Sequence, residues 1–125
     1  MKKLLQTLYL AVALIGVTPA HADMVAMGAG TVSCRQYQSD VKAGGYATAT
    51  TYFAWAQGFM TATNLVRLTN GKTTKDLNSI DLPEQMRELD DYCVAHPNKN
   101  YSEGIPSVFN SLDDSTDAPS GDNDE

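Results

Sequence analysis

The chain has 125 residues, with 15 acidic against nine basic side chains and a formal charge of −6. That is room for one small domain. An acidic chain without a basic cluster is repelled by nucleic acid and anionic lipid, so both are excluded as partners.

The first 22 residues read as a cleavable export signal. Lys2 and Lys3 precede an apolar run from Leu4 to Val17, Pro19 ends it, and Ala20-His21-Ala22 supplies a small–x–small cleavage pattern. A run of about 14 residues falls short of the ~20 a permanent membrane anchor needs, so no membrane insertion is expected. Removing 22 of the 125 residues leaves 103, with seven basic and fifteen acidic side chains and a formal charge of −8. Six of those acids lie in 113–125, which holds no base. The expected compartment is the periplasm.

Export gives the two cysteines, Cys34 and Cys93, their meaning. In an oxidising compartment an even count points to a bridge, and two cysteines allow one pairing. The alternatives, a redox or a metal pair, lack support: there is no Cys-x-x-Cys, and His96 is the one histidine beyond the signal.

In chain order, 23–32 is a Gly/Ala/Met-rich stretch without a period, expected as a flexible arm. Ser33 caps a short helix carrying Cys34, Tyr37 and Val41, which Gly44-Gly45 stops. The clearest element spans 47–68. There Tyr52, Ala56, Phe59, Thr63 and Val66 recur at helical steps, widened by Trp55 and Ala62, and predict a broad buried face. Asn70-Gly71 ends it. Gly58, inside that helix, costs about 1 kcal/mol relative to Ala. Close approach of another backbone is one physical reason to keep it. Residues 72–80 read as a polar connector.

A third helix opens with Asp81 as cap, Pro83 in the first turn and Glu84 three residues after the cap. Its expected inner stripe is Leu82, Met86, Leu89 and Cys93, with Tyr92 beside it, and it ends before Pro97. A fourth helix spans about 101–112, with Ile105, Val108, Phe109 and Leu112 inward. The predicted fold is an all-α four-helix orthogonal bundle over 33–112, with a disordered acidic tail over 113–125.

Catalytic sets are sparse. His96 stands at a helix C-terminus, where capping and the helix dipole explain it. Asp90 and Asp91 are adjacent on a helix and diverge by about 100°, so they do not converge on one point. No phosphate loop, metal-ligand pair or calcium loop occurs in the sequence, so no cofactor and no enzyme activity are expected. Trp55, with Tyr52, Phe53, Phe59 and Tyr92, is either core or part of a binding surface, where Trp and Tyr are over-represented. Asn64, toward the end of the stripe, needs partners if buried, and the neighbouring helix or connector can supply them.

Ser33-Cys34, Trp55-Ala56-Gln57-Gly58-Phe59 with Asn64, and Asp91-Tyr92-Cys93 followed by His96-Pro97 together resemble a group of small exported two-cysteine helical proteins of bacteria. The pattern is similar in layout to HdeA-type periplasmic acid-stress chaperones and to Rap/Tai-type immunity proteins. The resemblance implies a helical domain bridged from Cys34 to Cys93 that works by binding another protein, either a client or a toxin. The chaperone type also implies a homodimer near neutral pH and an acid trigger. Carboxylates for such a trigger crowd one helix at Glu84, Glu88, Asp90 and Asp91. An accessory factor of a larger envelope machine is the remaining expectation.

Overall fold

The computed structural model describes residues 27–116. The export signal, the first part of the arm and residues 117–125 of the tail lie outside the described residues. The described residues form a small all-α domain of three helices, α1 (Cys34–Thr69), α2 (Leu82–Ala95) and α3 (Ile105–Ser111). Short 3-10 turns at Gly28–Thr31 and Tyr101–Gly104 complete it. There is no sheet among the described residues; two isolated bridges, Ser33–Asn100 and Lys75–Asp114, pair connecting segments. No helix among them is long and apolar enough to cross a membrane.

Three helices stand where four were expected, because the Gly44-Gly45 stop is an elbow. Gly45 takes φ 66° and ψ −152°, a backbone that residues with a Cβ avoid, and helical geometry resumes at once on its far side. The chain thus turns inside α1 without a loop. Ser33 caps the first arm as expected, its Oγ accepting from Gln36 N at 3.2 Å. The second arm, 46–69, ends at Asn70, and Gly71 follows with φ +63°.

α2 begins as its sequence indicates: Asp81 accepts from Glu84 N at 2.8 Å, and Pro83 lies in the first turn. Its inner face is rotated from the expected one. Gln85, Leu89 and Cys93 are buried, while Leu82 is exposed and Met86 only partly covered. Gln85 holds the inner slot because its Nε2 donates to Leu77 O (2.9 Å) and Ile80 O (2.6 Å), satisfying two connector carbonyls that a leucine would leave bare.

The expected fourth helix is divided. Pro106 has no N–H to donate back to Ser102, so Tyr101–Gly104 forms a 3-10 turn before α3. The expected stripe of Ile105, Val108, Phe109 and Leu112 is buried. These residues join Tyr37, Tyr52, Phe53, Ala56, Met60, Leu89 and Tyr101 in one core around the disulfide.

The Cys34–Cys93 bridge is present, both cysteines fully buried with Cα atoms 4.7 Å apart. Backbone bonds crowd around it. Cys34 N donates to Lys99 O (2.8 Å), Arg35 N to Pro97 O (3.0 Å), and Tyr101 N to Val32 O (2.9 Å). The 97–99 turn therefore satisfies two of the N–H groups that open α1.

Both ends of the domain extend further than expected. Gly28–Thr31, inside the arm expected to be flexible, is a folded turn with Gly30 buried. The tail's first residues are paired: Asp76 N donates to Asp113 O (2.9 Å), Asp113 N to Ser79 Oγ (2.9 Å) and Ser115 N to Thr74 O (2.8 Å). The connector carbonyls and N–H groups otherwise lacking partners account for this order.

Replacing both cysteines by alanine opens a loop of 59 residues' separation. The expected loss is about 4 kcal/mol of unfolding free energy, read as a lower urea midpoint against the oxidised chain.

Candidate functional site

The residues singled out from sequence do not converge. Trp55 and Phe59 form one platform on the second arm of α1, their rings stacked 5.8 Å apart at 27°. Trp55 is partly buried, and Phe59 is 39% exposed. The stripe that sequence turns inward is open to solvent beyond this point: Val66 is 61% exposed and Ala62 is exposed too, as are Leu65 (58%) and Leu68, which lie outside the predicted stripe. The reason is length. The arm 46–69 runs about 36 Å at 1.5 Å per residue, while α2 and α3 have 14 and seven residues. They cover one side of it, through Phe53, Ala56 and Met60.

Gly58 lies on the open side with nothing within 4 Å of where a Cβ would stand. Among the described residues no other backbone approaches it, so the close-packing explanation has no support there. Tyr92 packs elsewhere: its ring lies on Gly104, where a Cβ would come within 2.7 Å of Cδ1, and 4.6 Å from the His96 ring. His96 occupies the C-terminal cap position of α2, its N–H donating to Tyr92 O at 2.9 Å.

Asn64 binds the connector. Its Nδ2 donates to Lys75 O and its Oδ1 accepts from Lys75 N, both at 2.8 Å. Lys75 then reaches the chain's end, its Nζ donating to Leu112 O (2.9 Å) and pairing with Asp114 (2.9 Å). One lysine so links α1, the connector and the start of the tail.

The acids of α2 are spread over its surface. Glu84 and Asp91 both pair with Arg87, and Glu88 accepts from Ser111 Oγ at 3.1 Å. Asp90 is partly buried and raises the Tyr37 pKa electrostatically. Among the described residues no group of three or more His, Cys, Asp or Glu could hold a metal.

Sequence periodicity gave no hint of one polar feature. Tyr37 and Tyr52, from the two arms of α1, and Tyr101, from the second 3-10 turn, pack with ring centroids 4.8–5.3 Å apart. Tyr52 Oη donates to Asp40 Oδ2 at 2.6 Å, across the Gly45 elbow, and Gln36 Nε2 donates to Asp40 Oδ1 at 2.7 Å. The Tyr52 bond, then the Gln36 bond, hold the Asp40 carboxyl below the usual carboxylate range. Burial, then the neighbouring Asp90, pushes Tyr37 up to about 12. Burial and the Asp40 bond do the same for Tyr52. Tyr101 is raised chiefly by burial. No fixed spacing announces such a cluster, since its tyrosines are 15 or more residues apart.

No protein-family model, curated protein or solved structure matches the chain. Its site is therefore argued from its own geometry.

Two outcomes follow from these contacts. Asn64→Ala leaves Lys75 N–H and C=O without their partner and is expected to cost about 1–3 kcal/mol, measured by urea unfolding. Stability is expected to fall at both ends of the pH scale. Asp40, Glu84, Glu103 and Asp114 are all held low by hydrogen bonds. Their contribution is complete above the unfolded carboxylate range near pH 4 and is lost as pH drops through their lower folded values. The raised tyrosines contribute below about pH 10 and lose that contribution as pH climbs toward 12. Thermal melts across pH, with tyrosinate absorbance at the alkaline end, check both.

Proposed function

We propose that the chain is a non-enzymatic, periplasmic protein-binding domain of the HdeA-like stress-chaperone type, acting on other proteins through the open side of α1. The observation that carries this reading is the uncovered stripe of Phe59, Ala62, Leu65 and Val66, with Leu68 exposed on the adjoining face, on a domain whose core is otherwise closed. A contiguous exposed apolar strip on a small domain is the usual mark of an interaction surface. The composition of the strip adds support. From Val41 to Lys75 the sequence has no acidic residue, so the strip carries no carboxylate to repel an apolar segment or hold water over it. The four helical segments, counting the arms of α1 separately, and the buried bridge support the layout of that type, an orthogonal four-helix bundle. The hydrogen-bonded carboxylates supply acid sensitivity: their protonation loosens the elbow at Asp40 and the tail at Asp114.

The test is client protection. A model enzyme that aggregates at about pH 3, below the carboxylate range, is expected to stay in solution when this chain is present in stoichiometric amount. Val66→Lys, at a position 61% exposed, is expected to lose most of that protection while keeping the melting temperature. Aggregation unchanged by the native chain would overturn the proposal.

A further inference from the structure

Gly28–Thr31 lies on the Trp55 indole. A Cβ on Gly30 would stand 2.0 Å from Trp55 Cη2 and 2.4 Å from Cζ2 and Cζ3, so only a glycine backbone fits flat on that ring. Gly28, with φ +76°, passes the indole edge, where a Cβ would be 3.5 Å from Nε1. The turn closes on itself: Thr31 Oγ1 donates to Gly28 O (2.9 Å), and Val32 N to Ala29 O (3.3 Å). Among the described residues, no hydrogen bond joins Gly28–Thr31 to α1. The first bond to the rest of the domain comes at Val32, whose carbonyl accepts from Tyr101 N. The segment is thus held by packing alone, on Trp55 and on the Tyr101–Gly104 turn, with a fixed point just behind it.

The platform beneath continues into the open strip. Trp55 stacks on Phe59, and Phe59 begins the run of exposed apolar side chains toward Leu68. We infer that Gly28–Thr31 is a displaceable strap, which covers the Trp55 end of the binding strip and competes there with an apolar segment of a bound protein. The ligand class rests on the proposed function; the strap itself rests on the Gly30–Trp55 contact. The strap also indicates what fits its place: a stretch of small residues whose backbone lies against the indole, with larger apolar side chains reaching Phe59 and Val66.

Trp55 is the sole tryptophan, so its emission reports the strap directly. In the full chain, Gly30→Ala cannot seat on the ring. It is expected to make Trp55 several-fold more accessible to iodide quenching and to tighten binding of the apolar probe bis-ANS several-fold. Adding Phe59→Lys to Gly30→Ala is expected to return probe affinity to the native level or below. In the native chain, saturating bis-ANS is expected to speed amide exchange at Val32, whose N–H closes the turn, and to leave that of Leu89 unchanged. Unaltered iodide quenching in Gly30→Ala overturns the inference, as does greater quenching with no gain in probe affinity. Exchange at Val32 that ignores the probe also overturns it, and it does not depend on any variant folding. These readouts use Trp55 emission, bis-ANS and amide exchange and no client protein, so they stand or fall separately from client protection.

Discussion

The Cys34–Cys93 bridge fixes where everything else goes. It joins the first residue of α1 to the last turn of α2, and the 97–99 turn then lies beside the α1 N-terminus. Cys34 and Arg35 arrive with N–H groups that no helix can satisfy internally, and Pro97 and Lys99 present the carbonyls that take them. Arg35 adds a side-chain bond to Asn98 Oδ1 at 2.9 Å. A domain this small has little core to spare, and the bridge removes unfolded-state freedom that core packing alone would have to outweigh. Tyr101 and α3 follow the knot directly, so the buried face of α3 is delivered onto α1 and α2 by a chain already anchored twice.

From that anchor, the geometry of α1 decides which surface is left open. Its first arm is short and tied down by the bridge; the Gly45 elbow then redirects a second arm longer than any other helix among the described residues. On one side, Asn64 and Arg67 hold the connector, Arg67 Nε donating to Thr73 O at 2.6 Å. On the other side no element of the described chain follows α1 past Phe59. The apolar strip is therefore what remains when one long helix meets two short ones. Its composition is not that of a neglected surface, which would ordinarily be charged, because Phe59, Leu65, Val66 and Leu68 occupy it.

Sequence patterns revealed those features that local chemistry dictates. Asp81 and Pro83 announced the start of α2, Ser33 that of α1, and Ile105, Val108, Phe109 and Leu112 the inner face of α3, because caps and periodicity act within a few residues. What periodicity cannot say is whether a partner exists for an apolar face. Phe59 and Val66 have the same spacing whether they are covered or open, so their stripe reads as core. The inner position of Gln85 is invisible for a related reason: it depends on two carbonyls in the connector, which no rule of amphipathicity contains. Gly30 is a third case. In sequence it is one glycine of a loose stretch, and its role appears only once an indole lies across it.

The polar contacts divide the molecule into a centre and a periphery. At the centre are a covalent bridge and apolar side chains, neither of which responds to acid. The carboxylates held low by their partners each secure a peripheral piece: Asp40 spans the elbow, Glu103 accepts from Asn100 N ahead of the 3-10 turn, and Asp114 fastens the start of the tail through Lys75. Arg87 with Glu84 and Asp91 is an exposed ladder on α2 and contributes little by comparison. Acid therefore acts on edges before it acts on the core. A chain built this way can loosen the elbow and the connector while the Cys34–Cys93 knot keeps α1, α2 and α3 together.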